Sequence, residues 1–317
     1  MRDTRALVES SLLVALSVVL FLASHFLPVV GVLLSLFCPV PLVILGIKVP
    51  LKNAFMGTFV AFALVSLFMG VLGGVLFLFG FALMGVMLGF FGRRFDRVSD
   101  ILFYGFLVSL FSKLVLMALV KLLTGVNPFA IDPKAVMEAF NEAEKMFSGS
   151  GRAFFETMRV QVETMSKVMV YILPAILIAA SFLDCVISYL ISQKIAGRFK
   201  ITSLPKVPPF GEWHFPKSTL FAFFIAFILS FFDPSGNNIG VLYVVGLNLK
   251  VISIMIFLVQ GMATVWYLLS KVSKNKIKPW VGAMLVAAVI FIPVLSVIVI
   301  MLGFADILID LRAKIGR

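Results

Sequence analysis

The stretch DCVISYLISQ at 184–193, followed by KIAGRFKITSLPKVPPFGEWHFPK at 194–217, divides the chain into two apolar halves. Its first part ends a long apolar segment and carries a carboxylate, Asp184. Its second part is polar and basic, and the chain then becomes apolar again. This pattern is typical of a loop between membrane spans, and its excess of lysine and arginine predicts a cytoplasmic location.

The composition excludes a soluble domain. Of the 317 residues, 62% are hydrophobic and 13% are charged, and the mean hydropathy is +1.13. A soluble protein needs a largely charged surface, which this composition cannot supply. Apolar runs recur that reach the ~20 residues a helix needs to cross a hydrocarbon core of ~30 Å, and no alternating strand pattern is seen. The sequence therefore predicts an all-α, polytopic bundle of transmembrane helices in contact with the lipid bilayer.

The net charge of +12 does not indicate nucleic-acid binding. Its basic residues are spread over short loops between apolar runs, where the positive-inside rule explains them. Cys38 and Cys185 both lie in apolar segments, and His25 and His214 have no ligand neighbour at metal-binding spacing. The sequence predicts no metal and no cofactor.

The hydropathy pattern predicts about nine spans. They are Ala6–Phe26, Val32–Ile47, Asn53–Met69, Gly74–Phe91, Ile101–Leu123, Lys167–Ile191, Ser218–Phe232, Val241–Leu269 and Trp280–Leu302. Arg2 and Arg5 before the first span place the N-terminus in the cytoplasm. Nine spans leave Arg312, Lys314 and Arg317 outside, against the charge rule, so eight is the alternative.

The domain organisation follows from these spans. Residues 1–192 form a six-span membrane domain, 193–217 form a basic cytoplasmic loop, and 218–317 form a three-span region with an amphipathic tail. Between spans five and six, residues 132–165 predict two amphipathic helices at the outer surface, with Asp132-Pro133 as a helix start. Within span two, Cys-Pro-Val-Pro at 38–41 predicts a kink, because two prolines remove backbone donors.

Small residues four apart predict close helix packing in spans three and four. The pairs are Gly57 with Ala61, Gly70 with Gly74, and Gly85 with Gly89. They serve either packing within the protein or docking of a second membrane subunit.

Five polar residues lie within the predicted spans: Lys113, Asp184, Asn248, Lys250 and Gln260. An ionised group at mid-helix costs ~2.5–3.5 kcal/mol on insertion scales, so it needs a partner. One interpretation is a structural Lys113–Asp184 pair between spans five and six. A second is a polar cavity, in which Lys113 and Lys250 attract an anionic ligand that Asn248 and Gln260 orient. A third is that the charged side chains snorkel to the interface or lie nearer the span ends than the hydropathy suggests. Near the start of span one, Glu9 is a headgroup-level residue that can reach Lys48 or Lys52.

No catalytic constellation is found in the sequence. Paired Ser/His residues, paired intramembrane aspartates, an HExxH zinc site and a Gly-rich phosphate loop are all missing. We expect no catalytic residues, no enzymatic activity and no ATPase within the chain.

Three segments together resemble the YybS-like family of bacterial membrane proteins. They are PPFGEWHFP at 208–216, NLKVISIMIFLVQGMATVWYLLSK at 248–271 and LGFADILIDLRAK at 302–314. The residues that match the family pattern include Pro209, Trp213, Pro216, Gly261, Asp306, Asp310 and Arg312. The resemblance implies the cytoplasmic (inner) membrane of a bacterium.

The first six spans also look like the substrate-binding subunit of energy-coupling-factor importers. The likeness lies in ALVESSLLVALSVVL at 6–20 and CPVPLVILGIKVPLKNAFMG at 38–57. It implies a small-molecule-binding subunit, with a membrane coupling subunit or a homo-oligomer as partner. The paired alanines of such subunits are not matched, since Ala15 is followed four positions later by Val19. The alternative function is a scaffold or regulatory protein whose inner loops recruit a cytoplasmic partner.

Overall fold

The computed structural model describes residues 2–27, 30–128, 133–146, 152–199, 201, 204–232, 240–273 and 279–315. These residues form helices and turns, and no β-strand occurs among them, so the all-α class is confirmed. The helices are α1 Arg2–Phe26, α2 Val30–Phe37, α3 Val40–Lys48, α4 Leu51–Phe77, α5 Leu83–Arg94, α6 Val98–Thr124, α7 Pro133–Met146, α8 Arg152–Arg198, α9 Ser218–Leu229, α10 Val241–Val272, α11 Pro279–Phe291, α12 Pro293–Ile309 and α13 Leu311–Ile315.

The chain forms two compact units. The first contains Met1–Ile131 and Leu177–Val207, and the second contains Asp132–Ile176 and Pro208–Arg317. The outer segment, grouped with the first six spans in the sequence, belongs to the second unit. Its second predicted helix is the beginning of α8, which continues into span six without a break.

The predicted kink at Cys-Pro-Val-Pro is present. Helix α2 ends at Phe37 and α3 begins at Val40, with Pro41 in its first turn. A proline in the first turn removes no intrahelical hydrogen bond, because the first N–H groups of a helix have no intrahelical partner.

A reversal at Gly70 separates spans three and four. The apolar segment Leu51–Arg94 has 44 residues, about 66 Å if straight and thus too long for one crossing. Gly70 has φ 74° and ψ 173°, outside the helical region. A Cβ placed on Gly74 would lie 2.0 Å from Ser66 Oγ, although residues eight apart in a straight helix are separated by about 12 Å. The chain therefore folds back on itself at Gly70.

The other small residues of the predicted motifs pack inside the first unit. Gly85 and Gly89 of α5 face α3, and a Cβ on Gly89 would lie 2.1 Å from the Val43 carbonyl oxygen. Gly57 faces α1 and α3, while Ala61 is fully buried. All of these positions serve close packing within the chain.

In the second unit, α10 and α12 cross closely at Gly261 and Gly303. A Cβ on Gly261 would lie 1.9 Å from the Val299 carbonyl oxygen, and one on Gly303 would lie 1.9 Å from that of Phe257. Each oxygen belongs to the residue four positions before the facing glycine. Phe304 packs on Phe257, and Asp306, further along α12, reaches Gln260 and Thr264, which lie further along α10. The two helices therefore run in the same direction.

Both ends of the α11–α12 pair lie at the C-terminal end of α10. Helix α11 begins beside Trp266, since a Cβ on Gly282 would lie 3.0 Å from its ring. After α12, Arg312 donates to the carbonyl oxygen of Gly211, which itself lies against Tyr267. The two helices are bent by 105°. The pair is therefore a re-entrant hairpin.

The count of nine spans is not confirmed. In the described ranges, six helical segments are long and apolar enough to cross a membrane, or up to seven if the bent pair is counted as one span. One of the six is Leu51–Arg94, which the reversal at Gly70 divides into predicted spans three and four. Helix α9 has 12 residues, about 18 Å, against a hydrocarbon core of ~30 Å. The predicted ninth span is the re-entrant hairpin.

The chain end, which nine spans would leave outside, lies on the same side as the loop before α9. Because Arg312 binds the segment before α9, Arg312 and Lys314 lie on the same side as that segment; Arg317 is outside the described residues. The basic end of the chain and the basic loop then share one side, as the positive-inside rule requires.

Single-cysteine labelling tests this arrangement. Lys217→Cys and Lys314→Cys should both be protected from a membrane-impermeant maleimide in intact cells, because both lie on the basic side. Glu138→Cys, in the predicted outer helix, should be labelled. The native Cys38 and Cys185 are buried and should give little background. Labelling of positions 217 and 314 from opposite sides would contradict the re-entrant hairpin.

Candidate functional site

The predicted pair between spans five and six is present in the first unit. Lys113 Nζ of α6 donates to Asp184 Oδ2 of α8 at 2.8 Å and to Ser109 Oγ at 2.7 Å. Ser109 Oγ also lies 3.4 Å from Asp184 Oδ2. Ser109 precedes Lys113 by one helical turn, so both side chains face α8. The result is a three-membered polar cluster between two membrane helices.

This cluster is partly open. The side chains of Lys113 and Asp184 are 19% and 26% exposed. A lysine ammonium has three donors on a flexible stem, so it can turn from one acceptor to another. The pair can therefore neutralise itself in one state and offer the ammonium to an anionic guest in another.

The Asn248 side chain bonds to the backbone of α8, and its predicted ligand contact stays a prediction. Helix α8 contains Pro174, which lacks an N–H and disturbs the turn around it. Asn248 Nδ2 donates to the Tyr171 carbonyl at 2.7 Å, and its Oδ1 accepts from the Ala175 N–H at 2.8 Å. In an undisturbed helix those two backbone groups would bond to each other. The Asn248 amide thus bridges a hydrogen bond opened beside the proline.

Lys250 is half-buried in the second unit, and among the described residues it makes no ion pair. Lys113 belongs to the first unit and Lys250 to the second. A cavity lined by both lysines therefore stays a prediction.

Gln260 lies in a buried network with Asp306 and Arg312. Gln260 Nε2 donates to Asp306 Oδ2 at 2.5 Å, and Thr264 Oγ1 lies 3.0 Å from the same oxygen. Gln260 Oε1 accepts from the Phe215 N–H at 3.0 Å. Gln260 and Asp306 are fully buried. The polar atoms of Gln260 are therefore occupied within the protein.

Arg312 closes the network. Its Nε donates to Asp306 Oδ2 at 2.9 Å, and its backbone N–H donates to Oδ1 at 3.3 Å. Its Nη1 donates to the Gly211 carbonyl at 2.5 Å, and its Nη2 donates to the Trp213 carbonyl at 2.7 Å and lies 3.0 Å from His214 Nδ1. Arg312 is 8% exposed. The guanidinium fork thus ties the loop before α9 to the end of α12.

Local conformation brings Arg312 back to Asp306. Asp310 ends α12 with φ 51°, and its N–H donates to the Asp306 carbonyl at 2.9 Å. Aspartate tolerates this left-handed conformation better than most residues. The reversal starts α13 and places Arg312 beside a carboxylate six positions earlier. We call Gln260, Thr264, Asp306 and Arg312 the C-terminal latch.

The remaining signature residues shape the loop that the latch holds. Pro209 precedes the short turn Phe210–Glu212, and the Pro216 carbonyl accepts from the N–H of Thr219 in α9. Trp213 Nε1 donates to the Pro208 carbonyl at 3.0 Å, and its ring packs on Phe210. Gly261 allows α12 to approach α10.

The sequence did not connect the members of the latch. Polarity within the spans groups Gln260 with Lys113 as a candidate ligand residue, and Arg312 lies in the predicted amphipathic tail. The family signature was the one signal that joined Gly261, Asp306 and Arg312, without indicating their contacts. Within the described ranges of the chain, no group of three potential metal ligands occurs.

Comparison with known proteins identifies the family. The family described as "Predicted membrane protein (DUF2232)" matches residues 15–307. The chain belongs to this family. It is also similar to "Uncharacterized protein YybS" of Bacillus subtilis (strain 168), with 25% identity over 317 residues that cover 99% of this chain and 100% of the relative. No solved structure shows a significant match.

Membership of this family confirms the YybS-like resemblance and an integral membrane protein in contact with lipid. The family match contains Gln260 and Asp306 and ends shortly before Arg312.

Breaking the latch should destabilise the protein. Arg312→Met leaves the fully buried Asp306 without its counter-charge, a change that costs about 3–5 kcal/mol in other buried pairs. Thermal unfolding in detergent should show a clear loss of stability. Arg312→Met combined with Asp306→Leu should recover much of it, because no lone charge remains buried.

Glu9→Gln is the matched control, because it removes a charge from a far more exposed ion pair. Pairs of that kind contribute about 0–1 kcal/mol, so the effect should be small. If Arg312→Met unfolds like the wild type, the latch is not a stabilising element.

Proposed function

We propose that the protein is a non-enzymatic membrane subunit of transport type, which binds a small anionic molecule and has no motor of its own. The supporting observation is the partly exposed Lys113–Asp184 pair between α6 and α8. An intramembrane ionisable residue commonly marks a substrate or ion pathway.

The contrast between the two membrane ion pairs supports this assignment. Asp306 and Arg312 have 0% and 9% of their side chains exposed, and the carboxylate and guanidinium are surrounded by partners. Lys113 and Asp184 keep about a fifth to a quarter exposed. A saturated, sealed pair suits a structural role, whereas a pair that water or a ligand can reach suits binding.

The chemistry would be an exchange of partners. A carboxylate or phosphate group of the ligand would take the Lys113 ammonium, and Ser109 would supply a further hydroxyl donor. Asp184 would hold Lys113 in place when no ligand is bound. The importer-like pattern of the first six spans suggests that a separate membrane subunit supplies the energy.

Native mass spectrometry of the gently extracted protein tests the proposal. The wild type should retain a small molecule that Lys113→Met loses, whereas Lys121→Met, an exposed lysine near the end of the same helix, should retain it. The double variant Lys113→Met/Asp184→Leu should fold and not bind. If the double variant retains the molecule, or if the wild type retains none, the binding role is wrong.

The ordered loop before α9 favours a second function, that of a scaffold. The latch fixes the backbone of Gly211 and Trp213, so this loop presents a defined surface on the basic side. A cytoplasmic partner that co-purifies with Lys113→Met and is lost with Trp213→Ala would support the scaffold over the transport subunit.

A further inference from the structure

The first unit contains a cavity of about 550 Å³, and neither Lys113 nor Asp184 lines it. It lies between α1, the broken helix α2–α3 and the C-terminal end of α8. Its walls are apolar and include Leu12, Leu16, Leu20, Pro41, Ile44 and Phe199. The volume lies within the ~300–1,000 Å³ of typical ligand sites.

The cavity has the length of a lipid chain in one leaflet. Along α1 it extends from Glu9 to Leu20, about 16 Å at the helical rise and about half of a ~30 Å hydrocarbon core. Leu12 and Leu16 on its wall are 65% and 49% exposed. The cavity therefore opens sideways, toward the position that the hydrocarbon of the bilayer would occupy.

An ion pair lies at one end of this cavity. Lys48 Nζ donates to Glu9 Oε2 at 2.8 Å, and the two side chains are 34% and 39% exposed. Among the described residues, these two are the charged ones in the cavity wall. Exposed pairs are weak, so each partner can exchange the other for a ligand group at little cost.

We propose that this cavity binds a zwitterionic phospholipid with a primary ammonium group. The lipid phosphate binds Lys48, the ammonium donates to Glu9, and one acyl chain lies along α1. A paired acid and base complement a phosphate–ammonium head, whereas a purely anionic head would be repelled by Glu9. Because Lys48 is predicted to lie on the basic side of the protein, the bound lipid would belong to the leaflet on that side.

The purified full-length protein, stripped of lipid and exposed to equal amounts of phosphatidylethanolamine and phosphatidylglycerol, tests this site by native mass spectrometry. The wild type should retain phosphatidylethanolamine about tenfold better than phosphatidylglycerol. A factor of about ten corresponds to the free energy of one charge-assisted hydrogen bond. Glu9→Gln should remove that preference while keeping the binding of both lipids. Lys48→Met should weaken the retention of both.

Leu16→Trp fills the cavity and should abolish retention, whereas Leu107→Trp, an exposed position on α6, should not change it. If Leu16→Trp retains as much lipid as the wild type, the bound lipid is only annular and the site is wrong. If Leu16→Trp fails to fold, Glu9→Gln decides, since the glutamate is partly exposed. An unchanged preference in Glu9→Gln, or no preference in the wild type, would also overturn the proposal.

Discussion

A polar or charged group in hydrocarbon has no water to bind, and much of this structure follows from that constraint. Asp306 is the strictest case, because it is fully buried and is held by Gln260, Thr264 and Arg312. The same requirement explains why the Asn248 amide lies on the backbone beside Pro174. Supplying these partners fixes which helices of the second unit touch and in which direction they run.

The constraint is met to different degrees at Asp306–Arg312 and Lys113–Asp184, two ion pairs among the described residues. The C-terminal latch uses the guanidinium fork of Arg312 on one carboxylate and two loop carbonyls, which leaves little capacity for a ligand. Lys113 has an ammonium that binds one hydroxyl and one carboxylate and remains partly accessible. Under the proposed binding role, the latch would supply a rigid frame and Lys113 a charge that can change partners.

Local patterns in the sequence predicted the features that depend on neighbouring residues. Hydropathy gave the helical class, and the prolines at 39 and 41 gave the break between α2 and α3. The Lys113–Asp184 pair was also foreseen, because two opposite charges on consecutive spans have few other partners.

Features that depend on distant contacts were missed. The short α9 and the re-entrant α11–α12 hairpin have the hydropathy of ordinary spans. Contacts of Gly282 with Trp266 and of Arg312 with Gly211 show that both ends of the hairpin lie near the C-terminal end of α10. The apolar cavity beside α1 leaves no sequence signal, since its leucines resemble those of any lipid-facing helix.

The contact between Arg312 and Asp306 in a lipid bilayer is the most direct test of this constraint. Solid-state NMR on protein with ¹⁵N-labelled arginine and ¹³C-labelled aspartate measures side-chain proximity through their dipolar coupling. A strong arginine–aspartate correlation should appear in the wild type and disappear in Arg312→Lys, whose ammonium carries no arginine label. A wild-type spectrum without that correlation would show that Asp306 is satisfied in another way and would contradict the latch.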